Sequence, residues 1–216
     1  MERRPSFEKF PFKGFRARLL TNQPMTLREL IRSDVSRFTQ TFVLRGQPFS
    51  KRRVFWESLI FKAGFQAVLL YRLSHWLFLR GWIYSAWFLS RLSVAITGAE
   101  IEFNAEIGPG MFVSHPVGIV VGRGTVIGSN VTLFQGVTFG VKSWHPEAIR
   151  KFPRVGDRCY FFAGAAVLGD VTIGNNCIVG AHAVLTCDVP NGGLALGVPA
   201  KVYLEKGAEA IKSWDA

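Results

Sequence analysis

The sequence predicts a mainly β protein, a parallel β-helix preceded by an N-terminal α-helical domain. Three observations carry this: a six-residue apolar period over residues 155–190, the same period with one slip over 101–139, and helical apolar spacing confined to the chain before residue 98. Counting in sixes gives Val155, Phe161, Val167, Ile173, Val179 and Leu185, with Cys159, Ala165, Val171, Cys177, Ala183 and Val189 four places after each. A helix needs apolar residues three and four apart, and a single strand alternates over one short segment, so neither explains a sustained period of six. Three short strands per coil do, at about eighteen residues per coil, which allows roughly four coils. Gly156, Gly174, Gly180 and Thr186 follow bulky positions, where a turning chain needs a small residue. The upstream block runs Ile101, Ile107, Val113, Ile119, slips two residues within Ile119-Val120-Val121, and continues Val121, Ile127, Leu133, Phe139.

Taken in order, residues 1–25 mix phenylalanines with basic residues and prolines without a period and read as a basic flexible tail. Thr26 and Glu29 have capping-box spacing, and Leu27, Leu30, Ile31 and Val35 then recur at helical intervals, so a helix is expected from about 27 to 39. A basic loop, 45–53, leads to an apolar helical region from Val54 to Thr97, broken near Gly81. Residues 26–98 therefore form a helical oligomerisation or docking domain. Residues 99–203 form the β-helix, with an excursion at 140–154 that breaks the period, and 204–216 are a C-terminal tail.

Charge divides the chain at the same place. Residues 1–98 hold 17 Lys+Arg against 5 Asp+Glu, a net +12, whereas residues 99–216 hold 9 against 10. A basic arm of this kind suits anionic partners such as phospholipid head groups or acidic polymer. The uncharged stretches 63–71 and 81–90 are far shorter than the roughly twenty residues a spanning helix needs, so contact with a membrane would be peripheral, with Arg72, Arg80 and Arg91 reaching toward phosphates. Cys159, Cys177 and Cys187, at spacings of 18 and 10, match neither a disulfide framework nor a zinc pattern. No signal-peptide core is present, and the expected place is the cytoplasm, at most at the inner face of the membrane. No metal and no nucleic-acid partner are expected.

Candidate chemistry concentrates in two places. Ser114-His115-Pro116-Val117-Gly118 interrupts the regular strands next to an inward valine, and the excursion carries Lys142, His145, Arg150, Lys151 and Arg154. Imidazole is the side chain that can take a proton from a hydroxyl near neutral pH.

The runs AEIEFNAEIGPGMFVSHPVGIVVG (99–122) and GFQAVLLYRLSHWLF (64–78) resemble the serine acetyltransferase group of hexapeptide acyltransferases. The resemblance implies a left-handed helix, an acetyl-CoA co-substrate, and a homotrimer or a multiple of three. It implies His115 as general base on the acceptor hydroxyl with Glu100 orienting it, and Glu102 in reserve. His145 would join them if the excursion folds back. Gly197-Val198-Pro199-Ala200-Lys201 resembles the family's closing segment, so Lys201 is expected on coenzyme A phosphate, and Ala163, Gly164, Ala165, Gly180 and Ala181 are expected to bring backbone amides to its pantetheine arm. His75 and His182 read as structural. The family's second histidine and the aspartate before the first are replaced by Phe152 and Ser114. A sugar hydroxyl of a polysaccharide or lipid-linked glycan is therefore the expected acceptor, with Ser114, Lys142, Arg150 and Arg154 as its contacts. Serine, in cysteine synthesis, is the alternative.

Overall fold

The computed structural model describes residues 25–43, 50–145 and 151–215. Most of the expected N-terminal tail (1–24), the loop 44–49 and residues 146–150, which include the expected contact Arg150, lie outside them. Four helices come first: α1 (Leu27–Val43), α2 (Lys51–Phe61), α3 (Ala63–Leu79) and α4 (Ile83–Thr97). The capping box starts α1, with the Thr26 N–H and hydroxyl donating to Glu29 Oε2 at 2.7 and 2.9 Å. Ser50 caps α2 by accepting from the Arg53 N–H at 3.3 Å. The expected break at Gly81 is present, and a second falls at Lys62, where extended backbone (φ −114°, ψ 94°) turns α2 into α3. Sequence pattern missed it because the apolar spacing runs through Lys62, and the nearby Gly64 falls inside α3 and not at the break.

Gly98, in the left-handed conformation at φ 72°, ends α4 and delivers the chain straight into the β-helix. The first coil holds β1 (Glu100–Ile101), β2 (Glu106–Ile107) and β3 (Phe112–Val113). The second holds β4 (Val120–Val121), β5 (Val126–Ile127) and β6 (Thr132–Leu133), and the third β7 (Thr138–Gly140), β8 (Arg154–Val155) and β9 (Tyr160–Phe161). The fourth holds β10 (Ala166–Leu168), β11 (Thr172–Ile173) and β12 (Ile178–Val179). A fifth, incomplete coil follows: β13 (Val184–Leu185), a bridge from Val189 to Ile173, and β14 (Leu194–Leu196), after which β15 (Lys201–Tyr203) turns back antiparallel. The prism is thus longer than the four expected coils, because the closing segment pairs onto it.

Three parallel faces result: face A (β1, β4, β7, β10, β13), face B (β2, β5, β8, β11) and face C (β3, β6, β9, β12, β14). Every inward position of the six-residue period is buried, and each fully buried Val, Leu, Ile or Phe contributes about 1.5–3 kcal/mol. Cys159 and Cys177 belong to this core; the Cys159 thiol is pushed up by its hydrogen bond with Cys177 and by burial. At the corner between faces B and C an amide ladder locks the coils. Ser129 N–H donates to Asp157 Oδ1 (2.6 Å), Asp157 N–H to Asn175 Oδ1 (2.7 Å) and Asn175 N–H to Asn191 Oδ1 (2.7 Å).

The helices dock on the first coil through a buried ion pair. Arg72 on α3 holds both carboxylate oxygens of Asp34 on α1, at 2.9 and 3.1 Å, and donates to the Ile107 and Gly108 carbonyls. Asp34 also accepts the Met111 N–H at 3.0 Å. Residues 206–215, expected only as tail, form helix α5 (Lys206–Asp215), whose Trp214 packs edge-on against Tyr160 at 5.1 Å.

Candidate functional site

His115 sits at the corner between faces C and A. The inward residues of β3 and β4, Val113 and Val121, are eight positions apart where the period allows six, so the two extra residues fall in the corner 114–119, ahead of the Ile119-Val120-Val121 run where the sequence places the slip. The two registers look alike in sequence because Ile119 and Val121 are both buried. A turn closes the corner, with the Ile119 N–H donating to the Pro116 carbonyl at 3.1 Å, and it leaves the His115 imidazole exposed above buried Pro116.

This corner is a column of left-handed residues. Gly98, Gly118, Gly136, Gly164 and His182 have φ of 72°, 73°, 70°, 71° and 55°. Each N–H beyond the first reaches down one coil: Gly118 to Gly98, Gly136 to Val117, Gly164 to Gln135 and His182 to Ala163, at 2.8–3.0 Å. The residue before each of the last three keeps its own amide: among the described residues the N–H groups of Gln135, Ala163 and Ala181 make no backbone hydrogen bond. They stand one above another at about 4.8 Å per coil.

The small residues expected to serve coenzyme A divide accordingly. Ala181 lies in this row, exposed. Gly164, Ala165 and Gly180 do not present amides: Gly164 bonds Gln135, Ala165 bonds Phe162 with its side chain in the core, and Gly180 bonds Ala195. A β-carbon at Gly164 would lie 2.5 Å from Nδ1 of the His182 ring, and the space over Gly180 is taken by Leu196. The small side chains at 164 and 180 thus leave room for the next coil, with the His182 ring lying over Gly164. Gln135 was missed, and Ala163 was not told apart from Gly164 and Ala165, because composition does not distinguish them; the signal available was register, the position two before each inward Val137, Ala165 and Ala183. At the top of the column the Val184 N–H donates to Gly197 and the Ala200 N–H to Val184, which sets exposed Lys201 at the same corner.

Glu100 converges on the corner from below. Its N–H donates to the Ile119 carbonyl at 2.8 Å, but its carboxylate is held by Arg91 of α4 at 2.6 Å, and it makes no hydrogen bond or ion pair with His115. With 43% and 39% of the two side chains exposed, this pair is worth at most about 1 kcal/mol, so the carboxylate can exchange partners at little cost. Glu102, the reserve, is tied through backbone, its N–H donating to the Val121 carbonyl and its own carbonyl accepting from the Ala105 N–H. Ser114 closes β3, its N–H on the Leu133 carbonyl, below the stacked rings of Phe134 and Phe162, whose centroids are 5.0 Å apart.

The excursion leaves from a different corner, between faces A and B. Lys142 lies beside Gly169, and His145 is exposed with its N–H on Ser143 Oγ at 3.3 Å. Phe152 lays its ring over Gly122, where a β-carbon would come within 2.7 Å of it. Arg154, expected as an acceptor contact, instead pairs with Asp170 across adjacent coils at 2.7 Å. Face A lies between this corner and that of His115, and among the described residues His145 makes no hydrogen bond or ion pair with His115. Among the described residues no cluster of three or more His, Cys, Asp or Glu side chains could hold a metal ion.

Residues 152–187 match the family model "Bacterial transferase hexapeptide (six repeats)". The serine acetyltransferase of Helicobacter pylori strain J99 is 40% identical over 159 residues, covering 74% of this chain and 91% of that protein. Among solved structures, soybean serine acetyltransferase complexed with serine superposes with a TM-score of 0.72 at 30% identity, over 82% of this chain and 69% of that one. A serine acetyltransferase in complex with CoA gives 0.71 at 28% identity, over the same shares. The prism is therefore the left-handed β-helix of these enzymes, and the chain is an acyltransferase that belongs to the serine acetyltransferase family.

Proposed function

We propose that this protein transfers the acetyl group of acetyl-CoA to an acceptor hydroxyl bound at the His115 corner, and that the acceptor is serine. The observation that carries the reaction is the alignment on one corner of an exposed imidazole, three unpaired amides and a terminal lysine. From the level of Val117 to that of Gly197 is four coils, about 19 Å, a span suited to an extended pantetheine arm with its thioester toward His115 and its phosphates toward Lys201. His115 Nε2 or Nδ1 takes the proton of the acceptor hydroxyl as its oxygen attacks the thioester carbonyl. Collapse of the tetrahedral intermediate breaks the C–S bond, and the imidazolium returns its proton to the departing thiolate. Glu100, released from Arg91, steadies the imidazolium. Serine as acceptor is supported by the identity to relatives named for it and by the soybean complex. Because His145 and Lys142 stand at the neighbouring corner, a threefold assembly supports their use: a second copy would bring its A–B corner to this C–A corner.

A second reading, a sugar hydroxyl, is favoured by Phe152 over Gly122 and by Ser114, which leave the positions of the family's second histidine and of its aspartate without charged partners for an ammonium and a carboxylate. Thiol release from acetyl-CoA, measured in parallel with free L-serine and with candidate glycans, decides. Efficient turnover on serine is expected, and turnover on glycan alone would replace serine with the sugar reading.

A further inference from the structure

Helix α4 is built inside out. Its buried positions against α3 are Ala86, Ser90, Ser93 and Thr97, whereas Tyr84, Trp87 and Phe88 point to the outside. A helix at the surface of a globular protein normally turns its apolar stripe inward, so an apolar outer face implies a second apolar environment. With Leu79 and Trp82 these residues form the tip of the α3–α4 hairpin: Tyr84 is 90% exposed and the other four are 59–65% exposed. The turn is made by Gly81 at φ 82°, and Arg80 beside it lies over the Trp76 ring, 3.7 Å from its centroid.

Charge identifies the occupant. No Asp or Glu occurs anywhere from residue 58 to 99, and the chain before residue 99 carries a net +12. A second copy meeting this face through a twofold contact would set arginine against arginine with no carboxylate to pair it. An anionic lipid surface supplies the missing charge and also the apolar layer that tryptophan and tyrosine favour at a bilayer boundary. No helix among the described residues is long and apolar enough to cross a membrane, so the mode is insertion of a tip.

We propose that the α3–α4 tip docks the enzyme on the headgroup region of anionic membranes, with Trp82, Tyr84, Trp87 and Phe88 in the interface and Arg80 at the phosphates. The fifteen residues of α4 span about 22 Å from the tip to Gly98, whose carbonyl holds the His115 corner, so the site stands roughly that far from the lipid surface. The inference is independent of which hydroxyl is acetylated.

The test uses the full chain with phosphatidylcholine vesicles containing about 30 mol% phosphatidylglycerol, and with phosphatidylcholine alone. The protein is expected to sediment with the anionic vesicles, and brominated acyl chains are expected to quench its tryptophan emission. Trp82→Ser/Trp87→Ser/Phe88→Ser should partition at least tenfold more weakly and lose the quenching while keeping its melting temperature, its mass by light scattering and its thiol-release activity. Absence of vesicle binding overturns the proposal. So does binding without quenching, or undiminished in the variant, which would assign the lipid contact to the basic N-terminal segment. A fall in the variant's mass would assign the tip to a second copy, and equal partition into both vesicle types would remove the anionic requirement.

Discussion

Gly64→Ala is the perturbation that most directly connects the helical domain to chemistry at His115. Gly64 lies in the first turn of α3, buried, and a β-carbon there would overlap the Val113 carbonyl oxygen and come within 2.9 Å of its carbon. Backbone lies on both sides of this contact, so no flexible side-chain end can give way, and clearing it takes a separation of about 1 Å between α3 and β3. Val113 is two residues before His115. A displacement of about 1 Å at a reacting group costs on the order of a hundredfold in rate, about 2.7 kcal/mol of barrier. The strain itself should cost about 1–3 kcal/mol of stability, lowering the melting temperature by roughly 2–4 °C per kcal/mol. Thiol release from acetyl-CoA and thermal melts measure the two effects separately. Gly140→Ala is the control, since its β-carbon would meet only the ends of Leu168 and Thr138 at 3.7 and 3.8 Å, ordinary contact distances. Turnover within twofold of wild type in a folded Gly64→Ala protein would refute the idea that α3 sets the position of His115. Equal damage from Gly140→Ala would refute the reading of the contact.

Replacing His115 with alanine, an exposed position with no packing role, should leave the melting temperature unchanged while lowering turnover on the order of a hundredfold or more; near-normal kcat would remove it from the mechanism. Asp34→Ala should cost about 3–5 kcal/mol by leaving the buried Arg72 guanidinium without its counter-charge, whereas Asp34→Leu/Arg72→Met should lie closer to wild type in chemical denaturation. A single variant no less stable than the double one would contradict this. The Glu29 carboxyl is held below its usual range by the Thr26 backbone N–H and then by the Thr26 hydroxyl. A depressed folded-state pKa contributes stability that is present above the ordinary carboxylate pKa and lost as pH falls through the depressed value. The melting-temperature gap between wild type and Thr26→Ala should therefore shrink between about pH 7 and about pH 3, and a constant gap would rule out the capping box as its source.

The sequence by itself determined the prism, because an inward side chain at every sixth position is a covalent regularity that survives any detail of packing. It also determined the capping box at Thr26, the end of the apolar helical region at Thr97 and the irregular segment around His115, all of which depend on neighbours a few residues apart. Only the tertiary structure decided what depends on the stacking of distant coils. Ala163 and Ala181 keep free amides while Gly164 and Gly180, one residue away, do not, since which N–H points along the prism is fixed by register with the coil below or above. Arg154 pairs with Asp170 and Glu100 with Arg91 at the exposed surface, pairings that two isolated charges in a sequence do not announce. The bond between Asp34 and Arg72 joins elements 38 residues apart, and the inverted face of α4 appears only once α3 has covered its serines. Short-range geometry is written in the order of residues, whereas the partner of a long side chain is chosen by the fold that brings candidates within reach.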